Sequence, residues 1–335
     1  MAVYIIGEAG VNHNGNLETA KRLVLCAKNA GCDCVKFQTF KAEKIVTQTA
    51  PMAKYQEQNT GRKESQYEML KKLELSYNQF QELYQYCQDV GIDFLSSPFD
   101  EESADFLDSL GISAFKISSG EITNKLLLEH IAKKGKKIYL STGMSDIDEV
   151  ENAVSWIRAM GNKNIVLFHC TSNYPAAYES VNMNAMLTIK KKFLCPIGYS
   201  DHTAGIEIPI LAVALGAQVI EKHFTYDKNA EGPDHKASLS PDELKAMVKS
   251  IRHVEVALGN GTKKPSKEEL VTRQLVRKSL AWKNSLPKDH IVTPEDICCL
   301  RPGDGLPPME YEHIIGKITV KNCIQNTLVS MEDVN

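Results

Sequence analysis

Short apolar stretches recur along the first three quarters of the chain, and amphipathic stretches with helical spacing lie between them. Such alternation is typical of parallel strands joined by helical crossovers. The predicted strands are Val3–Ile6, Cys34–Phe37, Phe94–Ser97, Ala114–Ile117, Ile138–Ser141, Ile165–His169, Pro196–Tyr199 and Val219–His223. The predicted helices include Leu17–Ala30, Tyr77–Val90, Glu102–Leu110, Asp146–Met160 and Pro241–Leu258. Eight such units in about 260 residues indicate an α/β fold of the (β/α)8 TIM-barrel type rather than an open doubly wound sheet.

The pattern changes after Leu258, where residues 259–266 are rich in glycine, lysine and proline. We predict a barrel over residues 1–260, a linker over 261–275, and a small, mostly β domain over 276–335. The short β-type runs of that last segment, such as Lys278–Trp282, are separated by proline and glycine turns. Long loops at the carboxyl ends of barrel strands cover active sites, so Thr47–Gln66 is predicted to form a lid or rim.

The charge and composition of the chain limit the classes of partner that it can bind. The chain has 39 Lys and Arg against 42 Asp and Glu, for a formal net charge of −3, which provides no broad attraction for nucleic acid or an anionic membrane. No apolar run approaches the roughly 18 residues of a membrane span, and a secretion signal is not recognised, so a cytoplasmic location is expected. The nine cysteines are irregularly spaced and are predicted to be reduced packing residues.

Polar residues concentrate at the carboxyl ends of all eight predicted strands. These ends carry Glu8 and 12–15, Lys36 and Gln38, Ser97, Lys116 with Ser119 and Glu121, 141–144, 169–174, 200–202, and 221–223. Any one of these groups could be explained as a helix cap or a turn. Together they indicate one catalytic mouth, because burying so many polar groups without a ligand would be costly.

Two histidines among these residues suggest a metal site. His202 and His223 end neighbouring predicted strands, so their imidazoles could meet and bind a divalent transition ion. Two protein ligands would leave positions for water and for a substrate oxygen, and the ion could then act as a Lewis acid on a carbonyl. The alternative is a pair of unrelated core histidines.

Two lysines suggest an anion pocket. Lys36 and Lys116, with the hydroxyls of Ser119 and Ser141, could hold a phosphate and a carboxylate. The competing interpretation is a Schiff-base aldolase in which Lys116 or Lys222 is the covalent nucleophile. Spacing along the chain does not decide between them.

Nearly the whole chain resembles the phosphoenolpyruvate-dependent sialic acid synthase family, which includes the synthases of N-acetylneuraminate, legionaminate and pseudaminate. The resemblance is carried by the motifs at 7–15, 35–40, 97–99, 116–121, 141–144, 200–203, 221–224 and 232–235. The tail resembles the family's antifreeze-like (SAF) domain, with Arg301 in the run Arg-Pro-Gly-Asp-Gly. The resemblance implies a domain-swapped homodimer in which Arg301 enters the partner's barrel.

The resemblance also implies roles for individual residues. His202 and His223 should bind a divalent ion, Mn²⁺ first, with Mg²⁺ or Co²⁺ as alternatives. Phosphoenolpyruvate should be held by Lys36, Ser97, Lys116, Ser119 and Ser141, and Ser200 should also bind substrate. The sugar or the reacting carbons should be faced by Glu8, Gln38, Glu121, Tyr174, Asp234 and Arg301. Either Glu8 or Glu121 should act as the general base, a choice that the sequence leaves open.

The implied reaction condenses phosphoenolpyruvate with an N-acetylated mannose-type sugar. The motif at 234–239 looks more like that of legionaminate synthases, which use 2,4-diacetamido-2,4,6-trideoxymannose and make N,N'-diacetyllegionaminate. The alternative within the family is an N-acetylneuraminate synthase that uses N-acetylmannosamine. From a different class, the tail alone would suit a carbohydrate-binding protein without catalysis.

Overall fold

The computed structural model describes residues 2–52, 56–57 and 64–335. Its contacts divide the chain into two compact units, Met1–Gly259 and Asn260–Asn335. The predicted lid or rim at Thr47–Gln66 falls in part outside the described residues. In the described part of the chain, we find no helix with the length and apolarity needed to cross a membrane.

The first unit is a nearly closed barrel, as predicted. Within the described residues its sheet has eight parallel strands in the order β3-β2-β1-β8-β7-β6-β5-β4. The end strands β3 and β4 pack side by side. The strands are β1 Tyr4–Gly10, β2 Cys34–Thr39, β3 Asp93–Pro98, β4 Ala114–Ile117, β5 Lys137–Ser141, β6 Ile165–Cys170, β7 Ile197–Asp201 and β8 Val219–His223. The clearest difference from prediction is β1, which continues past Ile6 to Gly10.

Helices follow the strands and cover the outside of the barrel. Their bounds are α1 Leu17–Ala30, α2 Ala42–Ile45, α3 Gln66–Leu73, α4 Tyr77–Val90, α5 Glu101–Ser109, α6 Lys125–Ala132, α7 Ile147–Ala159, α8 Tyr178–Val181, α9 Asn184–Phe193, α10 Glu207–Ala214 and α11 Pro241–Leu258. Local chemistry sets these ends. Ser76 and Ser240 begin α4 and α11 with capping boxes, and Gly31 ends α1 at a φ of 86°.

The barrel interior changes from apolar to polar along the strands. Its floor is a buried cluster of one or two residues from each strand except β7, namely Ile6, Cys34, Leu95, Ala114, Tyr139, Val166, Phe168 and Val219. Because strand side chains alternate, the residue two positions later faces the same way. On six strands that residue is polar and buried: Glu8, Lys36, Ser97, Lys116, Ser141 and Glu221. The site is therefore built directly on the packed floor.

The second unit is small and mostly irregular, with a β ladder at its centre. Strands β9 Ser279–Trp282 and β10 Ile297–Leu300 pair antiparallel, and Trp282 lies in a separate apolar cluster. One feature differs from prediction: helix α12 Lys267–Val276 occupies most of the segment 261–275 predicted as a linker. A capping box from Ser266 and Glu269 starts it. Its residues are all exposed, including the apolar Leu270, Val271, Leu275 and Val276.

Candidate active site

A cavity of about 510 Å³ opens at the carboxyl ends of the barrel strands. Twelve of the fourteen predicted site residues line it: Glu8, Lys36, Gln38, Ser97, Lys116, Ser119, Ser141, Tyr174, Ser200, His202, His223 and Asp234. The other two lie elsewhere. The parallel strand order brings the twelve together, since every strand ends at the same rim.

Two buried ammonium groups lie at the bottom of the cavity. Lys36 Nζ lies 2.8 Å from Glu8 Oε1 and donates to Ser97 Oγ at 3.2 Å. Lys116 Nζ donates to Ser141 Oγ at 2.7 Å. Both lysines are almost fully buried, so an anion bound between them would be attracted through a medium less polar than water. The arrangement suits a small molecule that carries a phosphate and a carboxylate.

Glu221 connects these lysines, and the sequence had assigned it no role. Its Oε1 lies 3.5 Å from Lys116 Nζ and 3.9 Å from Lys36 Nζ, and it accepts from Ser200 Oγ at 3.0 Å. Burial alone would raise the pKa of Glu221, but Lys116 and Lys36 outweigh it and hold that pKa below its usual value. The signal that could have found Glu221 is strand alternation, because it shares a strand face with His223.

The two lysines respond differently to this environment. Burial lowers the pKa of Lys116, with Glu221 opposing the change. Burial also acts to lower the pKa of Lys36, but the nearby Glu221 and Glu8 carboxylates outweigh it and raise that pKa. The two lysines of the pocket therefore differ in basicity, with Lys36 the more basic of the two.

Glu8 has the properties of a proton acceptor. Burial raises its pKa to about 7 against the opposing effect of Lys36, and Glu221 adds to the rise. Oε1 accepts from Gln38 Nε2 at 3.2 Å, whereas Oε2 is buried and has no hydrogen-bond partner among the described residues. An unsatisfied carboxylate oxygen in a cavity is available to a substrate or a water molecule.

The two predicted metal ligands face each other. The rings of His202 and His223 have centroids 5.3 Å apart, and the Tyr174 ring lies 4.1 Å from that of His202. His202 Nδ1 donates to the Thr171 carbonyl oxygen at 2.7 Å, which leaves the lone pair on Nε2. His223 Nδ1 is buried, and no residue in the described part of the chain forms a hydrogen bond with it.

These observations fit a divalent ion held by two imidazoles. The carbonyl that orients His202 is the second contact that metal-binding histidines usually have. Among the residues described, no group of three or more His, Cys, Asp or Glu side chains is arranged to hold a metal. Such a site would therefore be open, with its remaining positions available to water and substrate oxygens.

Lys222, one of the two Schiff-base candidates, points away from the cavity. Its Nζ forms a buried ion pair with Asp201 and donates to the Thr203 carbonyl oxygen at 2.5 Å. Asp201 in turn accepts from Tyr199 Oη at 2.9 Å. This network stabilises the barrel wall beneath α10, and its lysine does not line the cavity.

Glu121 and Arg301 are the two predicted residues that do not line the cavity. Glu121 ends a 3₁₀ turn, Ser119–Glu121, and its Oε2 accepts from Asn124 Nδ2 at 2.7 Å. Ser119 and Gly120 of that turn line the cavity, and Ser119 Oγ accepts from Gly143 N at 3.0 Å. Arg301 belongs to the second unit, where it is exposed.

The chain is similar to known proteins over its full length. A family model described as the NeuB family matches residues 23–263. N,N'-diacetyllegionaminic acid synthase of Legionella pneumophila is 49% identical, with 100% of this chain and 95% of that protein covered. The synthase of the same name from Campylobacter jejuni is also 49% identical, with 97% and 98% covered.

A solved structure agrees with these relatives. The crystal structure of N-acetylneuraminic acid (sialic acid) synthetase from Leptospira borgpetersenii in complex with citrate superposes with a TM-score of 0.72 at 35% identity. The alignment covers 81% of this chain and 90% of that one. The family match spans strands β2 to β8, which carry most of the cavity.

Proposed function

The chain belongs to the NeuB family, and we propose that it joins phosphoenolpyruvate to 2,4-diacetamido-2,4,6-trideoxymannose, giving N,N'-diacetyllegionaminate and phosphate. It is a transferase that forms a C–C bond. The observation that carries the proposal is one cavity with two parts: buried Lys36 and Lys116 at the bottom, and His202 and His223 at the rim. The relatives of that activity, at 49% identity, favour this acceptor over N-acetylmannosamine.

Lys36 and Lys116 would bind the phosphate and carboxylate of phosphoenolpyruvate, with Ser97, Ser119 and Ser141 donating further hydrogen bonds. His202 and His223 would hold a divalent ion, with Mn²⁺ the first candidate and Mg²⁺ or Co²⁺ the alternatives. Once bound, that ion would supply Lewis-acid polarisation of the sugar aldehyde.

The methylene carbon of phosphoenolpyruvate attacks the aldehyde carbon of the open-chain sugar, and the carbonyl electron pair moves to the aldehyde oxygen. Water then adds to the cationic carbon that bears the phosphate, and Glu8 Oε2 accepts its proton. The bond from that carbon to the phosphate oxygen breaks as the hydroxyl on that carbon loses its proton, which releases phosphate and leaves a 2-keto acid. The two protons of the water end on the alkoxide, now the hydroxyl of the product, and on the released phosphate. The sequence left Glu8 and Glu121 as alternatives for the base. Glu8 is favoured because it lines the cavity and Glu121 does not.

The test is an assay of phosphate release and product mass with phosphoenolpyruvate, Mn²⁺ and each candidate sugar separately. We expect faster turnover with the trideoxy sugar than with N-acetylmannosamine. Inactivity with both would contradict the proposal and would favour a carbohydrate-binding protein without catalysis. No covalent adduct should be trapped by borohydride with substrate, whereas a Schiff-base aldolase using Lys116 would give one.

The second unit is proposed to be an antifreeze-like domain that completes the partner's site in a domain-swapped homodimer. Arg301→Ala is then expected to raise KM for the sugar about 10- to 100-fold, the effect of losing a charged hydrogen bond. Folding should be unaffected because Arg301 is exposed. Arg273→Ala, at an exposed arginine in α12, is the matched control. Sugar kinetics measured side by side decide the outcome.

The swap itself is tested by mixing subunits. Glu8→Gln and Arg301→Ala chains are co-expressed with different tags, and the mixed dimer is purified. If Arg301 acts in the partner's barrel, one site of the mixed dimer has both residues intact and wild-type KM returns. A mixed dimer no better than its parents would contradict the swap. A cytoplasmic location, where phosphoenolpyruvate is available, is part of the same proposal.

A further inference from the structure

We infer that an apolar wall at one side of the cavity selects an acceptor sugar with a methyl group, rather than a hydroxymethyl group, at carbon six. The wall consists of Val11, Met69, Leu70, Leu73 and Phe99, all of which line the cavity. This inference rests on the proposed function and assigns a specificity role to residues outside the catalytic groups.

Helix α3 supplies three of the five wall residues at helical spacing. Ser65 and Glu68 start α3 with a reciprocal capping box, which fixes its first turn. Met69 and Leu73 are 4% and 7% exposed, so their positions are set by packing, whereas Leu70 is half-buried. One face of this short helix therefore lines the cavity and packs against the apolar residues behind it.

A satellite core supports the wall from behind. Met69, Leu73 and Val11 pack with Phe40 and Met52 in a cluster separate from the main barrel core. Phe40 meets Phe99 edge to face, with ring centroids 6.2 Å apart. A surface held in this way keeps its shape on binding, which selectivity between sugars differing in one oxygen requires.

The wall lies beyond the strand ends that carry Glu8, Lys36 and Ser97, toward the mouth of the cavity. Val11 follows the end of β1, α3 lies between β2 and β3, and Phe99 follows the end of β3. The imidazoles come from the ends of β7 and β8. With its aldehyde at the imidazoles and phosphoenolpyruvate on the lysines at the bottom, the sugar has its far carbons directed toward the mouth, beside the wall on the β1 to β3 side.

The chemistry of that side suits a deoxy carbon beside an acetamido group. A methyl group gains by contact with leucine, methionine and phenylalanine side chains, whereas a hydroxyl there would lose its water without gaining a hydrogen bond. Gln66, in the first turn of α3, also lines the cavity and offers an amide donor and acceptor beside the wall. An acetamido group at carbon four would match it.

Leu70→Gln tests the wall at its least buried member on α3. The matched control is Leu126→Gln, the same change at an exposed leucine of α6, 73% exposed and away from the cavity. The measured quantity is the ratio of kcat/KM for the trideoxy sugar to that for its 6-hydroxy analogue, 2,4-diacetamido-2,4-dideoxymannose, which differs from it only at carbon six. This ratio does not depend on how much of a preparation is folded.

Wild-type protein and Leu126→Gln should favour the trideoxy sugar by the same ratio, of the order of 10- to 100-fold, the limit for apolar selection against one hydroxyl. Leu70→Gln should reduce that ratio at least about fivefold, mainly through the trideoxy sugar. If Leu70→Gln is active and its ratio equals that of wild type, the specificity role of the wall is wrong while the proposed function stands. If wild-type protein uses neither sugar, the proposed function is wrong, and the specificity role of the wall is wrong with it.

Discussion

Glu8→Gln is expected to lower kcat by about 10²- to 10⁴-fold, the usual contribution of a general base. The substitution keeps the hydrogen-bonding shape of the side chain but removes its ability to accept a proton. Glu121→Gln, the matched control, should lower kcat less than about tenfold, because Glu121 bonds to Asn124 and does not line the cavity. Steady-state and single-turnover rates with both substrates measure the difference.

The pH profile gives an independent check of the same residue. Since burial raises the pKa of Glu8 to about 7, a base at this position loses activity as the pH falls through that range. Wild-type kcat/KM, which reports the pKa values of the free enzyme, should show this acidic limb, and the residual kcat/KM of Glu8→Gln should not. An equal loss in Glu8→Gln and Glu121→Gln would contradict the assignment of Glu8 as base.

Stability separates a lost base from a damaged fold. A carboxyl whose folded pKa lies above its ordinary value stabilises the protein less as the pH rises from about 4.5 to 7. Glutamine cannot ionise, so Glu8→Gln should be at least as stable as wild type at pH 8. A marked drop in its Tm at that pH would mean that the lost activity reflects misfolding.

Removal of the divalent ion is expected to abolish turnover, and His223→Ala should weaken Mn²⁺ binding by at least about a hundredfold. His223 Nδ1 is a buried nitrogen with no hydrogen-bond partner within residues 2–52, 56–57 and 64–335, and burial lowers the pKa of His223 well below its usual value. The imidazole is therefore neutral near pH 7, and no proton has to leave before an ion binds.

Calorimetric titration with Mn²⁺ measures that affinity without reference to activity. His253→Ala, at an exposed histidine of α11, is the control and should bind Mn²⁺ as wild type does. Activity lost to a chelator should return when Mn²⁺ is added, and parallel titrations with Mg²⁺ and Co²⁺ rank the alternatives. Full activity in the presence of chelator would contradict a catalytic ion.

The family resemblance supplied Asp234, whereas the sequence pattern by itself determined the barrel and the other eleven of the twelve residues around its mouth. Both follow from local rules: apolar strands alternate with amphipathic helices, and all parallel strands end at the same rim. Even the assignment of side chains to the interior is partly local. Glu8, Lys36 and Lys116 each lie two positions beyond a floor residue of their strand.

What the tertiary structure decided were the relations across strands. The role of Glu221 in the cavity follows from the positions of Lys36 and Lys116, which lie 3.9 and 3.5 Å from its carboxylate. Lys222, one position later, faces the opposite side of the strand and pairs with Asp201. Glu121 follows a cavity-facing serine but turns toward Asn124. The apolar wall is recognised only once the structure places α3 at the cavity. Apart from the Glu121–Asn124 contact, which is set by side-chain direction in a turn, these are distances between residues far apart in the chain. The hydrophobic pattern records only local periodicity and does not contain them.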